Sequence, residues 1–308
     1  MPDPINLRTA SASNLVIAGA ACSGTSFLAA QLSSHPRIDP GSVKESNFFS
    51  RNYERGPAWY EGLFEPPADG LRRMDASVSY TFSHFPAAVD RLAAHAPAAL
   101  VVYLVRDPIP RAVSHYLHNR HYFKQEMAPD FGTAIRTNEL YAGASDYQRW
   151  LDALYGRFPR DQVLVVPFTA VTEGGVAAQV CARLRLPAPA PMQEATAEAH
   201  RNNVVGFKHE AFRVASRKLR RSRFYPVVRE RLGADRLRRV RSMVTKETTL
   251  PTVQDALDSC SPDQLSDLHE LDQQSWDAVT ACLAEQDERL GLRWSSYWPA
   301  RSSPTTGQ

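Results

Sequence analysis

Residues Leu15–Ser26 read Leu-Val-Ile-Ala-Gly-Ala-Ala-Cys-Ser-Gly-Thr-Ser and contain the most informative stretch of the chain. An apolar run enters a glycine-bounded loop, and a helical pattern, Phe27–Leu32, leaves it. A strand, a glycine loop and a helix N-terminus together form an anion cradle, because free backbone N–H groups and the helix dipole converge there. The alternative is a tight turn before a packed helix. The candidate ligand-binding residues are Ala21, Cys22, Ser23, Gly24, Thr25 and Ser26.

The loop has the spacing of a phosphate-binding P-loop, G-x-x-x-x-G-K-[ST], with Thr25 where the lysine is expected. In a nucleoside triphosphatase that lysine reaches the β- and γ-phosphates. Its absence argues against ATP hydrolysis and favours a nucleotide with a different charge distribution.

Further short apolar runs predict a parallel sheet. Together with Leu15–Ala18, the segments Leu100–Val105 and Val163–Phe168 are typical of buried strands, and helical patterns separate them. The sequence therefore predicts an α/β protein with a P-loop-like three-layer fold and a central parallel sheet. A helical pattern over 265–283 indicates that the C-terminal third is largely helical.

The chain is interpreted as a single domain over residues 1–308. We expect an α/β nucleotide-binding core over 14–186, a helical, basic part over 187–301 and a disordered tail over 302–308. Residues 213–241 hold twelve arginines and lysines against two acidic residues. This basic block is suited to an acidic substrate, a nucleotide, nucleic acid or a lipid surface, or it forms the solvated face of a helix.

Composition narrows the class of protein. Four cysteines without C-x-x-C spacing favour free thiols in a reducing compartment. The N-terminus lacks a signal-peptide pattern, and no apolar run approaches the roughly 20 residues that span a bilayer. We therefore expect a cytoplasmic protein without a transmembrane segment. The sequence shows no metal-ligand cluster, and its Ala/Arg/Pro-rich composition is typical of a high-GC bacterium.

A basic and a hydroxyl side chain follow the second predicted strand. Arg106 lies at its carboxyl end, where open α/β sheets bind ligands. Asp107 and Pro108 then predict a helix start, and Ser114 lies two turns along that helix. The guanidinium and the hydroxyl are placed to clamp one phosphate. The alternative is an Arg–Asp surface pair with a helix hydroxyl bonded to its own backbone.

A carboxylate beside a lysine follows the first helix, in Lys44-Glu45-Ser46-Asn47-Phe48-Phe49. Glu45 is a candidate general base in a half-buried site. The alternative is an exposed ion pair before a core Phe-Phe. The alternative bases are His84, His115 and His118. The aromatic residues that line an acceptor cleft, or else belong to the core, are Phe48, Phe49, Trp59, Tyr60 and Tyr80.

Taken in order, these motifs resemble the sulfotransferases that use 3′-phosphoadenosine 5′-phosphosulfate (PAPS), and most closely their carbohydrate, heparan-sulfate-type branch. The resemblance also rests on Trp59–Phe64, which matches W-Y-x-x-x-F, and on Asp75–Tyr80, which matches E-x-S-P-x-Y in part. Arg106–Tyr116 matches R-[DN]-P-x-x-R-A-x-S-x-Y closely. The resemblance covers roughly residues 14–186.

The resemblance implies a metal-independent transfer of a sulfuryl group from PAPS to a hydroxyl of a carbohydrate or glycosylated small molecule. It implies that the 5′-phosphosulfate lies on Ala21–Ser26 and that Arg106 and Ser114 hold the 3′-phosphate. Glu45 takes the role of base, Lys44 helps to balance charge, and 3′-phosphoadenosine 5′-phosphate (PAP) is the product. The basic block would suit an anionic acceptor, and no nucleic-acid partner is expected.

One residue departs from this family's pattern. The lysine or arginine two positions before the loop glycine, which contacts the leaving group, is Cys22 here. Lys44, Arg111 or a residue of the basic block replaces this charge, or Cys22 contributes only its backbone N–H, or the nucleotide is bound without transfer. We favour the first of these.

Two rival functions come from other classes of protein. A P-loop kinase-like phosphotransferase is disfavoured by Thr25 and by the lack of a clear second Mg²⁺-ligand motif. A non-catalytic anion- or nucleic-acid-binding module would act through the basic block. The motifs carry no prediction of oligomeric state.

Overall fold

The computed structural model describes residues 14–173, 175–189, 205–207, 245–247 and 251–299. The basic block 213–241 and the tail 302–308 lie outside the described residues, so the predictions made for them stay predictions.

A five-stranded parallel sheet forms the centre of the fold, in the order β2-β3-β1-β4-β5. Leu15 of the central strand pairs with Met74 on one side and with Leu100 on the other. The strands are β1 Leu15–Gly19, β2 Ile38–Asp39, β3 Arg72–Ala76, β4 Leu100–Val105 and β5 Val163–Pro167. The prediction of an α/β fold with a central parallel sheet is confirmed.

Helices surround this sheet and dominate residues 251–299. They are α1 Thr25–Ser33, α2 Pro57–Glu61, α3 Ala88–His95, α4 Pro108–Leu117, α5 Phe131–Thr137, α6 Leu140–Gly143, α7 Tyr147–Tyr155, α8 Ala170–Glu173, α9 Val176–Arg183, α10 Val253–Leu257 and α11 Pro262–Leu290. A separate antiparallel pair joins β6 Val205–Phe207 to β7 Thr245–Glu247. Among the described helices, none is both long and apolar enough to cross a membrane.

The strand predictions were correct where the strands are apolar. The three predicted runs match β1, β4 and β5 within one residue, and every residue of these strands is buried. β3 was missed because it reads Arg-Arg-Met-Asp-Ala, which lacks an apolar run. Its Arg73 is buried against the carboxylate of Glu61 and the carbonyl of Glu65, which compensates the charge.

Helix α4 begins at Pro108 as predicted, and it carries most of the phosphate-clamp motif. Its apolar face is buried as the periodicity indicates. Asp107 occupies the N-cap position, although its side chain makes no capping hydrogen bond. Arg111, which the helical spacing places away from the apolar face, is nevertheless fully buried. The reason lies in its contacts with the loop, described below.

Helix α11 packs beside β5 through polar as well as apolar side chains. Ser275 Oγ accepts a hydrogen bond of 3.1 Å from the N–H of Tyr147. The side-chain amide of Gln286 accepts from the N–H of Val165 at 2.8 Å and donates to the carbonyl of Val165 at 2.9 Å. These bonds explain why polar residues interrupt the apolar pattern of the helix.

Candidate active site

The glycine loop leaves the carboxyl end of the central strand, and α1 begins at Thr25. Gly24 has a φ of 90°, and a Cβ there would lie 3.1 Å from the ring of Phe168, so both the conformation and the space call for glycine. Cys22 also adopts a left-handed conformation, with a φ of 64°. Left-handed residues in a loop before a helix are a feature of anion-binding nests.

Several N–H groups of the loop are available to a ligand. Within the part of the chain that the structure describes, the N–H groups of Cys22, Gly24, Thr25 and Ser26 have no hydrogen-bond acceptor. The N–H of Ser23, by contrast, donates to the carbonyl of Ala20 at 3.3 Å. Unpaired amides at the start of a helix form a binding site for an oxyanion.

The structure brings Arg106 and Ser114 to this loop. Arg106 Nη1 donates to the carbonyl of Cys22 at 3.2 Å, and its guanidinium lies 5.0 Å from the centre of the Phe168 ring. The hydroxyl of Tyr147 bonds both the N–H and the carbonyl of Arg106, at 3.0 and 2.6 Å. Ser114 lies near enough to Cys22 to lower the pKa of its thiol. Both clamp residues therefore adjoin the anion cradle.

Cys22 supplies no charge of its own to the loop. Burial raises the pKa of its thiol, while Arg111, Ser114 and Arg106 act in the opposite direction. The thiol is half-buried and stays protonated at neutral pH. A positive charge must therefore come from a neighbouring side chain if the loop is to balance a leaving phosphate.

Arg111 forms the wall behind the loop. Its Nη1 donates to the carbonyl of Ala21 at 3.1 Å, and its Nε donates to Ser145 Oγ at 2.7 Å. Its Nη2 donates to the carbonyl of Tyr141, and its Nη1 lies 3.3 Å from Nδ1 of His115. Periodicity missed this burial, because the partners of Arg111 come from the distant loop and from residues 141–145.

The Lys44-Glu45 pair lies at the same edge of the sheet. Glu45 Oε1 accepts from Lys44 Nζ at 2.6 Å, and Oε2 accepts from the N–H of Val78 at 3.0 Å. The Glu45 N–H donates to the carbonyl of Ala76, at the end of β3. An ion pair with exposed groups does form, as the alternative expected. The carboxylate is nonetheless anchored to the sheet edge, with 31% of the side chain exposed.

A buried polar cluster supports the turn that carries Glu45. Asp75 Oδ2 accepts from Ser46 at 2.9 Å and from Tyr60 at 3.0 Å, and it also accepts from Tyr80. Asp75 Oδ1 accepts from Ser77 at 2.7 Å. Burial raises the pKa of Asp75, and these hydrogen bonds oppose the rise. From the sequence, Asp75 was notable only as part of the match to E-x-S-P-x-Y. In the structure its carboxylate joins β3 to the hydroxyl groups of the four residues just named.

The structure places the candidate aromatic residues and histidines in different surroundings. Four of the five aromatics, Phe48, Phe49, Tyr60 and Tyr80, are fully buried core residues, which is the alternative expected for them. Trp59 is half-buried beneath the guanidinium of Arg55. His84 is exposed, His118 stacks on Tyr122, and His115 is buried beside Arg111.

His115 predicts a loss of stability in mild acid. Burial, Arg111 and His118 hold its pKa well below the usual 6.5. Below about pH 6.5 the unfolded chain therefore binds a proton at this histidine and the folded chain does not. The free energy of unfolding then falls by about 1.4 kcal/mol per pH unit. We expect His115→Asn to remove this part of the slope in thermal unfolding between pH 7.5 and 5. The exposed-site control His84→Asn should keep it; equal slopes in wild type and His115→Asn would contradict the assignment.

Comparison with known proteins places this arrangement in a family. The sulfotransferase domain family matches residues 12–173, more than half of the chain, and the chain belongs to this family. The matched residues include the glycine loop, Glu45, Arg106 and Ser114.

Individual relatives agree with this assignment. Human heparan sulfate glucosamine 3-O-sulfotransferase 3B1 is 34% identical over 161 residues, which is 49% of this chain and 40% of the relative. The bifunctional heparan sulfate N-deacetylase/N-sulfotransferase 1 of Caenorhabditis elegans is 33% identical over 124 residues, 38% of this chain and 14% of that protein. A solved sulfotransferase from Alicyclobacillus acidocaldarius superposes with a TM-score of 0.50 and 26% identity, covering 61% of this chain and 89% of that one.

The chain spans about two fifths of the length of the first of these curated relatives. Among the described residues, no group of three or more His, Cys, Asp or Glu side chains is arranged to hold a metal ion. The expected cytoplasmic location and bacterial origin stay predictions.

Proposed function

We propose that the protein transfers a sulfuryl group from PAPS to a hydroxyl of a carbohydrate or a glycosylated small molecule. The observation that carries this proposal is the meeting of three parts at one sheet edge. These are a loop with unpaired N–H groups, the Arg106–Ser114 pair against that loop, and the anchored carboxylate of Glu45 at the end of the neighbouring strand.

The residues present fit a nucleotide with phosphates at both ends of its ribose. The amides of Cys22, Gly24, Thr25 and Ser26 would hold the 5′-phosphosulfate, since no residue that the structure describes accepts from them. Arg106 spends one of its five N–H donors on the carbonyl of Cys22, and its other donors suit a 3′-phosphate shared with Ser114.

The chemistry assigns Glu45 the acceptor's proton. The acceptor oxygen bonds to sulfur, the bond from sulfur to the bridging phosphate oxygen breaks, and the acceptor proton passes to Glu45. Lys44 and the N–H of Val78 hold the Glu45 carboxylate in place at the edge of the sheet. The donors of the loop stabilise the charge that grows on the leaving phosphate.

The relatives support a carbohydrate acceptor. Those named above are named for heparan sulfate, and one for its glucosamine units. The sulfotransferase domain family matches residues 12–173, which include Glu45 and the loop. A hydroxyl of an amino-sugar-containing glycan is therefore the acceptor class to examine first.

Calorimetry with PAP and with ADP tests the nucleotide assignment. Both ligands carry a 5′-phosphate, and PAP alone carries a 3′-phosphate. We expect PAP to bind at least tenfold more tightly, because one charge-assisted contact is worth about 1.5–3 kcal/mol. Equal affinity, or a preference for ADP, would contradict the proposal and favour the kinase-like alternative.

A further inference from the structure

We propose that Arg111 is a positioning residue that supplies, from behind the glycine loop, the positive charge which Cys22 does not provide for the 5′-phosphate. This inference rests on the proposed function, because it concerns the same nucleotide site. The loop itself carries the uncharged thiol of Cys22, so a charge next to the leaving phosphate has to come from another residue.

The first argument is the way in which Arg111 is held. Its side chain is 0% exposed, so it cannot reach a ligand directly. Ser145 Oγ at 2.7 Å and the carbonyl of Tyr141 fix one edge of the guanidinium. Its Nη1 is thereby directed at the carbonyl of Ala21, 3.1 Å away. A buried guanidinium with partners on every nitrogen keeps both its charge and its direction.

The second argument concerns the peptide between Ala21 and Cys22. In a trans peptide the carbonyl and the N–H point in opposite directions. Arg111 takes the Ala21 carbonyl, so the N–H of Cys22 faces away from Arg111, and no described residue accepts from it. A guanidinium on the carbonyl polarises that amide and strengthens the N–H as a donor to an anion. The charge thus acts on the ligand through one peptide group.

The third argument is that, in the described part of the chain, Lys44 has a carboxylate partner and Arg106 is assigned to the 3′-phosphate. Lys44 Nζ lies 2.6 Å from Glu45 Oε1, and Arg106 bonds the next carbonyl, that of Cys22. Arg111 also exerts the largest effect of any charge on the pKa of the Cys22 thiol, which agrees with its place beneath the loop. Position 111, rather than position 44, therefore carries the compensating charge.

The test separates the 5′-phosphate from the rest of the nucleotide. Calorimetry gives the affinities for PAP and for adenosine 3′-monophosphate, which lacks the 5′-phosphate, and their ratio reports the loop. We expect Arg111→Met to lower this ratio about tenfold. Arg111→Lys, measured at pH 6 where a buried ammonium is more fully protonated, should give a higher ratio than Arg111→Gln. Arg111→Gln, which keeps hydrogen-bonding groups without charge, should follow Arg111→Met and decides the matter if Arg111→Met does not fold.

A matched control is Arg73→Met, which removes another buried guanidinium. Arg73 lies near the amino end of β3, whereas Glu45 bonds its carboxyl end, and it is bonded to Glu61 and to the Glu65 carbonyl. It should lower the melting temperature and leave the affinity ratio unchanged. Equal losses for both nucleotides in Arg111→Met, or a ratio in Arg111→Lys as low as in Arg111→Gln, would overturn the inference. Wild-type protein that does not prefer PAP to ADP would instead overturn the proposed function itself.

Discussion

Replacing Glu45 with glutamine is expected to slow sulfuryl transfer by about 10²–10⁴-fold, the usual contribution of a general base. Glutamine keeps an oxygen that can accept from the N–H of Val78, so the turn and the nucleotide site should stay intact. The amide, however, takes up no proton from the acceptor hydroxyl. The affinity for PAP should therefore change by less than about threefold while turnover collapses.

The measurement uses radiolabelled PAPS and the first saccharide to which wild-type protein transfers label. Glu54→Gln is the matched control, because it removes an exposed carboxylate from the short 3₁₀ turn Tyr53–Arg55. This control should turn over at the wild-type rate. Turnover of Glu45→Gln within tenfold of wild type would remove Glu45 from the role of base. A parallel loss of PAP affinity would show instead that the Lys44-Glu45 turn shapes the nucleotide site.

Arg106→Ala should weaken PAP binding by about 10- to 100-fold, because a charge-assisted contact with the 3′-phosphate is lost. ADP has no 3′-phosphate, so its affinity should fall less. The remaining fall comes from the loop, which loses the hydrogen bond between Arg106 and the Cys22 carbonyl. The preference for PAP over ADP is therefore the quantity that should collapse. Ser114→Ala should shift the same preference in the same direction by a smaller factor.

Arg149→Ala provides the control for this loss of charge. Its guanidinium lies 5.1 Å from the centre of the Trp150 ring, much as Arg106 lies over Phe168, yet it belongs to the exposed face of α7. PAP affinity should be unaffected there. If Arg106→Ala lowers PAP and ADP affinity equally, Arg106 serves the loop and does not recognise the 3′-phosphate.

The fold could be predicted from the sequence where burial is achieved with apolar side chains. β1, β4 and β5 are such strands, and a central parallel sheet follows from them. β3 could not be found in this way, because its two buried charged residues have partners elsewhere in the chain. Arg73 bonds Glu61 and Glu65, which lie 12 and 8 residues upstream, and Asp75 accepts from the hydroxyls of Ser46 and Tyr80. Such partners are known only once the chain is folded, and no local periodicity records them.

The candidate site divides along the same line. The glycine loop, Arg106 and Ser114 were predicted from chemistry at strand ends, and the structure brings them together. Arg111 was named from the sequence as one of several candidates for the missing loop charge, but its burial was not predicted, since a helical pattern records the neighbours of a residue on its own helix only. Its partners, Ala21, Tyr141 and Ser145, come from 90 residues before it and from 30 and 34 residues after it. Contacts of this kind cannot be predicted from local spacing.

The side-chain amide of Gln286 has a consequence for the solubility of the protein. β5 is the last strand on its side of the five-stranded sheet, and an outer strand with bare backbone groups invites pairing with another chain. Gln286 occupies both backbone groups of Val165, as a neighbouring strand would. Helix α11 thus covers the middle of this edge and hinders the addition of a strand from another molecule there, for as long as α11 stays packed on the sheet.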